Sequence, residues 1–143
     1  MFGASIGCAG PLRVVFASHT ANTGCGAENV LMGLVSELDR GRVEPVVLVP
    51  EEGGPMEAVL ARAGVEVRRA PMRWWIGSPE QLARFPEGFE ARVRAVRAVL
   101  KEIAPDLVVT NTCVIREAAE VAHLEGLAHV WYSHEMLSRD PWL

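Results

Sequence analysis

Continuous apolar runs alternate along this chain with stretches whose apolar residues recur at helical spacing, and that alternation limits the fold more than any motif. Residues 13–17 (RVVFA), 43–49 (VEPVVLV), 65–68, 106–110 (DLVVT) and 128–132 (AHVWY) read as strands. The longer runs are apolar with little polar alternation, as in strands buried on both faces of a sheet. Residues 27–38 place Val30, Leu31, Leu34, Val35 and Leu38 on one helical stripe. Phe89, Val93, Val96, Leu100 and Ile103 form a second stripe. Residues 56–63, closed by Gly64, and 114–125, closed by Gly126, read as further helices. Asn111 or Thr112 is the expected cap of the latter. Residues 70–88, broken by three prolines and two glycines, read as irregular. The connections are too long for hairpins, so the strands should be parallel and joined by right-handed crossovers. The expected fold is α/β, a doubly wound parallel sheet of about five strands in a single domain.

The 143 residues suffice for one domain with its own core; half are apolar and 22% charged. The formal net charge is -4, from 14 basic and 18 acidic residues. That speaks against nucleic acid as the main partner, because neutralising phosphates needs a cationic surface. Cys8, Cys25 and Cys113 form no CxxC pair, so free thiols and a cytoplasmic setting are expected. The start, MFGASIGCAGPL, lacks a cationic n-region and is not expected to be a signal peptide. No apolar run reaches the roughly 18 residues that a membrane helix needs.

In doubly wound sheets, ligands bind at the carboxyl ends of the strands, near the point where strand order reverses. Three polar loops fall at such ends: 18–26, 111–113 and 133–136. The first leads into Gly24-Cys25-Gly26-Ala27-Glu28, which opens a helix. Glycines let backbone amides approach a ligand, and a helix N-terminus favours an anion such as phosphate. The same turn can serve only to start the helix, with Glu28 complementing its dipole. Neither GxGxxG nor GxxxxGK[ST] is present, which argues against a nucleotide triphosphatase. His19 stands at the end of the first strand, within reach of a ligand there. His134 and Glu135 follow the fifth strand, where an imidazole can act as a base or hydrogen-bond a hydroxyl. Trp74 and Trp75 can pack on the sheet edge, stack on a sugar or touch a membrane. Arg94, Arg97 and Lys101 form a helix face that is solvated or weakly drawn to anionic lipid. Cys25, near a helix N-terminus, is a candidate nucleophile if a histidine lies beside it.

These residues resemble the family 4 retaining glycosyltransferases. Strand one followed by a Gly-Gly-Ala-Glu-like turn looks like the start of that family. Residues 105–112 (PDLVVTNT) are similar to its Pro-Asp, apolar, Asn-Ser/Thr segment, and 128–135 (AHVWYSHE) look like its fifth strand with a terminal His-acid pair. Arg73-Trp74-Trp75 resembles a loop in some members. The resemblance implies a Rossmann-like domain, one of two that face each other across a cleft in the GT-B architecture. Residues 1–143 would be the acceptor-side domain. The donor-binding domain has no counterpart before Leu143, and this piece alone is expected to be inactive.

The implied activity is transfer of a sugar, of the hexosyltransferase type, from a nucleotide-sugar donor to an acceptor, with no cofactor and no metal. Electrostatic stabilisation of the departing diphosphate would carry it. Carried over, Cys25, Gly26, Ala27 and Glu28 form the loop near the diphosphate, and His134 is the catalytic histidine near the reacting sugar. His19, Trp74, Asn111, Thr112 and Glu135 complete the expected substrate-binding set. Cys25 departs from the pattern, standing where the family has the first glycine of its pair. Expected partners are the nucleotide sugar, the acceptor and the second Rossmann-like domain. Peripheral contact with the inner face of a membrane and a homodimer stay open. Two other readings remain at this point: a stand-alone flavodoxin-like or nucleotide-binding module, and a hydrolase using Cys25.

Overall fold

The computed structural model describes residues 10–135; Cys8 and the amino-terminal stretch before Gly10 lie outside them. Five strands form one parallel sheet: β1 (Leu12–Ala17), β2 (Val43–Val49), β3 (Glu66–Arg69), β4 (Leu107–Thr110) and β5 (Ala128–Trp131). Their order is β3-β2-β1-β4-β5, so the chain winds outward from β1 in one direction and then in the other. The reversal lies between β1 and β4, where Val15 pairs with Val108 and Ala17 with Thr110.

Alternate residues of the central strands enter two separate cores, as the period-two geometry of a strand requires. Val14, Phe16, Val47 and Val49 pack against Leu31 and Val35 of α1 (Gly26–Glu37) and Met56 and Leu60 of α2 (Met56–Arg62). Val15, Ala17, Val46 and Leu48 pack against Val96, Leu100 and Ile103, and against Val121 and Ala122. Those last residues belong to α4 (Phe89–Ile103) and α5 (Glu117–Glu125), with the short α3 (Pro79–Arg84) preceding them. Helices therefore cover both faces of the sheet, as its unalternated strands require.

Three elements differ from the sequence reading. First, α1 buries only Leu31 and Val35 fully; Val30 and Leu34 are exposed, so its stripe is half the expected width. Second, α3 occupies part of the stretch read as irregular. Third, α5 begins at Glu117 rather than near 114, and neither Asn111 nor Thr112 caps it. The carbonyls ahead of α5 are already committed. Trp75 donates its indole N–H to the Cys113 carbonyl at 2.7 Å and its backbone N–H to that of Val114 at 2.9 Å. Val114 and Ile115 are buried in this turn, although they belong to no helix.

One buried ion pair ties these pieces together. Arg92 of α4 donates to Glu117 Oε1 at 2.7 Å, and Glu117 is fully buried. The same guanidinium donates to the carbonyls of Phe85 at 2.8 Å and Glu87 at 2.6 Å, and lies over the rings of Phe85 and Phe89. Glu117 Oε1 also accepts the backbone N–H of Arg73 at 3.2 Å. The segment around residue 73 and the turn after α3 thus share one buried pair of charges as an anchor.

Candidate functional site

The polar loops meet at the carboxyl edge of the sheet, at the strand-order reversal. Gly24 sits at φ +114°, a backbone that L side chains rarely adopt, and turns the chain into α1. Cys25 stands at the N-cap position and makes no side-chain capping bond. The first amides of α1 therefore have no capping side chain, and Gly26 has nothing within 4 Å of where a Cβ would stand. A helix start left uncapped and open carries partial positive charge toward solvent.

Asn111, directly after β4, binds this helix start to the fifth strand's loop. Its side-chain amide donates to the Ala27 carbonyl at 3.1 Å, and its Oδ1 lies 3.0 Å from His134 Nε2. Because that oxygen can only accept, His134 donates from Nε2. The His134 ring also packs against Tyr132, centroid to centroid 4.3 Å. The structure thus brings together Ala27, Asn111 and His134.

Asn111 and Thr112, expected among the substrate-binding side chains, are fully buried. Neither side chain reaches the surface; Asn111 positions its neighbours, and Thr112 holds Glu135. Glu135 is likewise used internally. It accepts the hydroxyls of Thr112 and Ser133 (the latter at 2.8 Å), the His134 N–H at 3.0 Å and the Cys113 N–H at 3.3 Å. Partial burial pushes its carboxyl up, but the hydrogen bonds from Thr112 and Ser133 and from the backbone outweigh this and hold it at about 2. A carboxylate depressed in the folded state stabilises the protein above its ordinary range, and that stabilisation is lost as pH falls through the folded value. Glu135→Gln is therefore expected to flatten the dependence of melting temperature on pH between 4.5 and about 2. Thermal unfolding across that window checks this, and an acid limb identical to wild type contradicts it.

His19 and Glu28 form a second pair beside the first cluster. His19 Nε2 lies 3.1 Å from Glu28 Oε1, and the Glu28 side chain is only 2% exposed. Glu28 thus does more than complement the α1 dipole: it holds the imidazole from below. Burial lowers the His19 pKa, and the carboxylates of Glu28 and Glu135 oppose this without reversing it. The ring is therefore neutral at pH 7, its proton on Nε2 toward Glu28. His19 Nδ1 and Glu28 Oε2 are both buried without a hydrogen-bond partner. Both are buried polar atoms that the surrounding side chains leave unsatisfied.

A cleft of about 630 Å³ opens next to this pair, over the ends of β1, β2 and β3. Its walls include His19, Asn22, Glu52, Arg73, Trp74 and Arg84. Of the expected site residues it contains His19 and Trp74. The Trp74 ring meets the His19 imidazole edge-on at 5.1 Å and is 44% exposed, whereas Trp75 is pinned to the turn before α5. The loops after β2 and β3, which supply Glu52 and Arg73, carry no motif that singles them out in the sequence, unlike the loops after β1, β4 and β5. The signal was available, since all five loops end at the same edge. Gly54 lets the β2 loop close on β1: a Cβ there would stand 2.6 Å from the Ala21 carbonyl oxygen.

Cys25 is exposed, and no hydrogen bond joins its thiol to a histidine among the described residues. The cationic row on α4 is partly neutralised: Arg97 pairs with Glu125, Lys101 lies 3.9 Å from the same carboxylate, and Arg94 lies 3.7 Å from Glu90. No described helix is long and apolar enough to cross a membrane.

A family model for the glycosyl transferase 4-like domain matches residues 25–143. Among solved structures, the chain is similar to the glycotransferase of kitacinnamycin, with a TM-score of 0.56, 14% identity, and coverage of 85% of this chain and 30% of that one. It is also similar to the spinosyn forosaminyltransferase, with a TM-score of 0.53, 17% identity and the same coverages, 85% and 30%. At such identities the likeness is one of fold. The chain spans 30% of the length of these two structures. No curated protein matches its sequence. With five parallel strands in the Rossmann-like arrangement of a GT-B half and a match over most of its length, the chain belongs to the glycosyl transferase 4-like domain family.

Proposed function

We propose that this domain forms one wall of the cleft in an enzyme that transfers a sugar from a nucleotide-sugar donor to the hydroxyl of an acceptor. The observation that carries the reading is the chain of hydrogen bonds from Ala27 through Asn111 to His134. It fixes an uncapped helix start beside an imidazole with a free nitrogen, at the strand-order reversal. A diphosphate gains from the amides of Gly26 and Ala27 and from the α1 dipole. His134 then lies where the sugar next to that diphosphate would sit, with Nδ1 able to accept from a sugar hydroxyl. Transfer needs the leaving diphosphate stabilised as its charge develops, which preorganised amides do without a metal.

The cleft beside His19 is the acceptor's place in this reading. Trp74 offers an aromatic face for a sugar or polyol ring, and His19 lines the wall beside it. The donor's remaining contacts belong to a second domain of the full-length protein. No observation favours the flavodoxin-like alternative.

The test is turnover by the full-length protein. Incubated with a panel of nucleotide sugars and hydroxylated acceptors, it is expected to release free nucleotide and form a glycoside, both detected by mass spectrometry. Failure to bind or turn over any nucleotide sugar removes the proposal.

A further inference from the structure

We propose that the cleft selects an acceptor bearing a phosphate or carboxylate beside its reacting hydroxyl; this rests on the glycosyl-transfer reading above. Arg73 and Arg84 both line the cleft. Arg13, Arg68, Arg69, Arg92, Arg97 and Arg116 each pair with a carboxylate. The guanidiniums of Arg73 and Arg84 have no such partner among the described residues. Two unpaired guanidiniums on one concave wall present the planar donor forks that match phosphate and carboxylate oxygens. Glu52 is the single carboxylate on the cleft wall, so the two arginines leave it net cationic.

Both arginines are rooted, although their side chains reach solvent. The Arg73 N–H is held by Glu117 at 3.2 Å. Arg84 precedes Phe85, whose carbonyl takes the Arg92 guanidinium at 2.8 Å. The one buried Arg92–Glu117 pair thus anchors both backbone segments that bring positive charge to the cleft. Anchoring the backbone lowers the entropy lost when a ligand orders the two side chains.

Apart from Glu52, the rest of the cleft is uncharged and suits a ring with hydroxyls. Trp74 gives it a face, and the His19 imidazole, edge-on to Trp74, is the polar group on the wall nearest that face. An anionic group at the arginines and a hydroxyl at His19 would fix the ring's orientation at two points, which is what a transfer to one particular hydroxyl requires. The same chemistry is offered by a soluble sugar phosphate and by an anionic lipid headgroup with hydroxyls.

Binding to the full-length protein, read by quenching of tryptophan fluorescence and by calorimetry, separates the outcomes. Glucose and glucose 6-phosphate form one arm; vesicles of phosphatidylcholine with and without phosphatidylinositol form the other. Glucose 6-phosphate is expected to bind about tenfold more tightly than glucose, the worth of a charge-assisted hydrogen bond. Arg73→Gln and Arg84→Gln should each erode that difference. A preference seen only with phosphatidylinositol vesicles, and lost in both variants, supports the proposal with a lipid acceptor. Equal binding of charged and neutral probes in both arms overturns it, as does a preference that survives both substitutions. Release of nucleotide from nucleotide sugars by the wild-type protein is measured separately. If that release is absent while the arginine-dependent preference holds, the transferase reading fails and the anion site stands.

Discussion

Replacing Glu117 with alanine is expected to lower the unfolding free energy by about 3–5 kcal/mol, the loss that follows when one partner of a buried ion pair is removed. Glu117 is fully buried and Arg92 is nearly so. Without the carboxylate, the guanidinium is left in a protein interior with only the Phe85 and Glu87 carbonyls and two aromatic faces to replace water. The Arg73 N–H also loses its acceptor. Urea unfolding of the domain, followed by tryptophan fluorescence, measures the effect. Glu117→Gln should lose less, because an amide oxygen can still accept from Arg92 and from the Arg73 backbone. Alanine and glutamine variants both as stable as wild type would show that the pair contributes nothing. Since Arg73 borders the cleft, the alanine variant should also bind acceptor poorly at temperatures where it remains folded.

The second large effect concerns turnover. His134→Ala in the full-length protein is expected to reduce the proposed sugar transfer by more than about tenfold, a floor set below the roughly hundredfold or more that a well-placed proton-transfer group contributes. The substitution also leaves Asn111 Oδ1, which faces His134 Nε2 at 3.0 Å, without its partner. A loss of activity could then come from a slack loop alone. His134→Gln separates the two causes, since its side-chain N–H can restore the bond to Asn111 but offers no nitrogen lone pair. If the imidazole acts on substrate, glutamine stays as slow as alanine. If His134 only holds the loop, glutamine recovers the wild-type rate. Unchanged transfer in the alanine variant would remove His134 from the mechanism altogether.

Much of this was legible before any tertiary contact was known. Short apolar runs with little polar alternation, such as residues 46–49, suit strands covered on both sides, and the 3-4 spacing from Phe89 to Ile103 puts apolar residues on one face of a helix. Those two periods determined the parallel, doubly wound sheet and placed Gly24 to Glu28, Asn111 and His134 at its carboxyl edge. Periodicity is a local property, so it survives without knowledge of neighbours. What it does not carry is the direction of a polar side chain. Asn111, Thr112 and Glu135 look like ligand contacts in a list of polar loop residues, yet Asn111 bonds to the Ala27 carbonyl and His134, and Glu135 accepts from Thr112, Ser133 and the backbone. Glu28, a helix-start carboxylate by sequence, is the buried partner of His19, nine residues away. Arg73 and Arg84 reach the cleft from two segments that Arg92 and Glu117, distant in the chain, help to hold at one end of the sheet. Sequence alone determined which edge carries the site; long-range packing and the demand that every buried polar group find a partner decided which side chains remain free to use it.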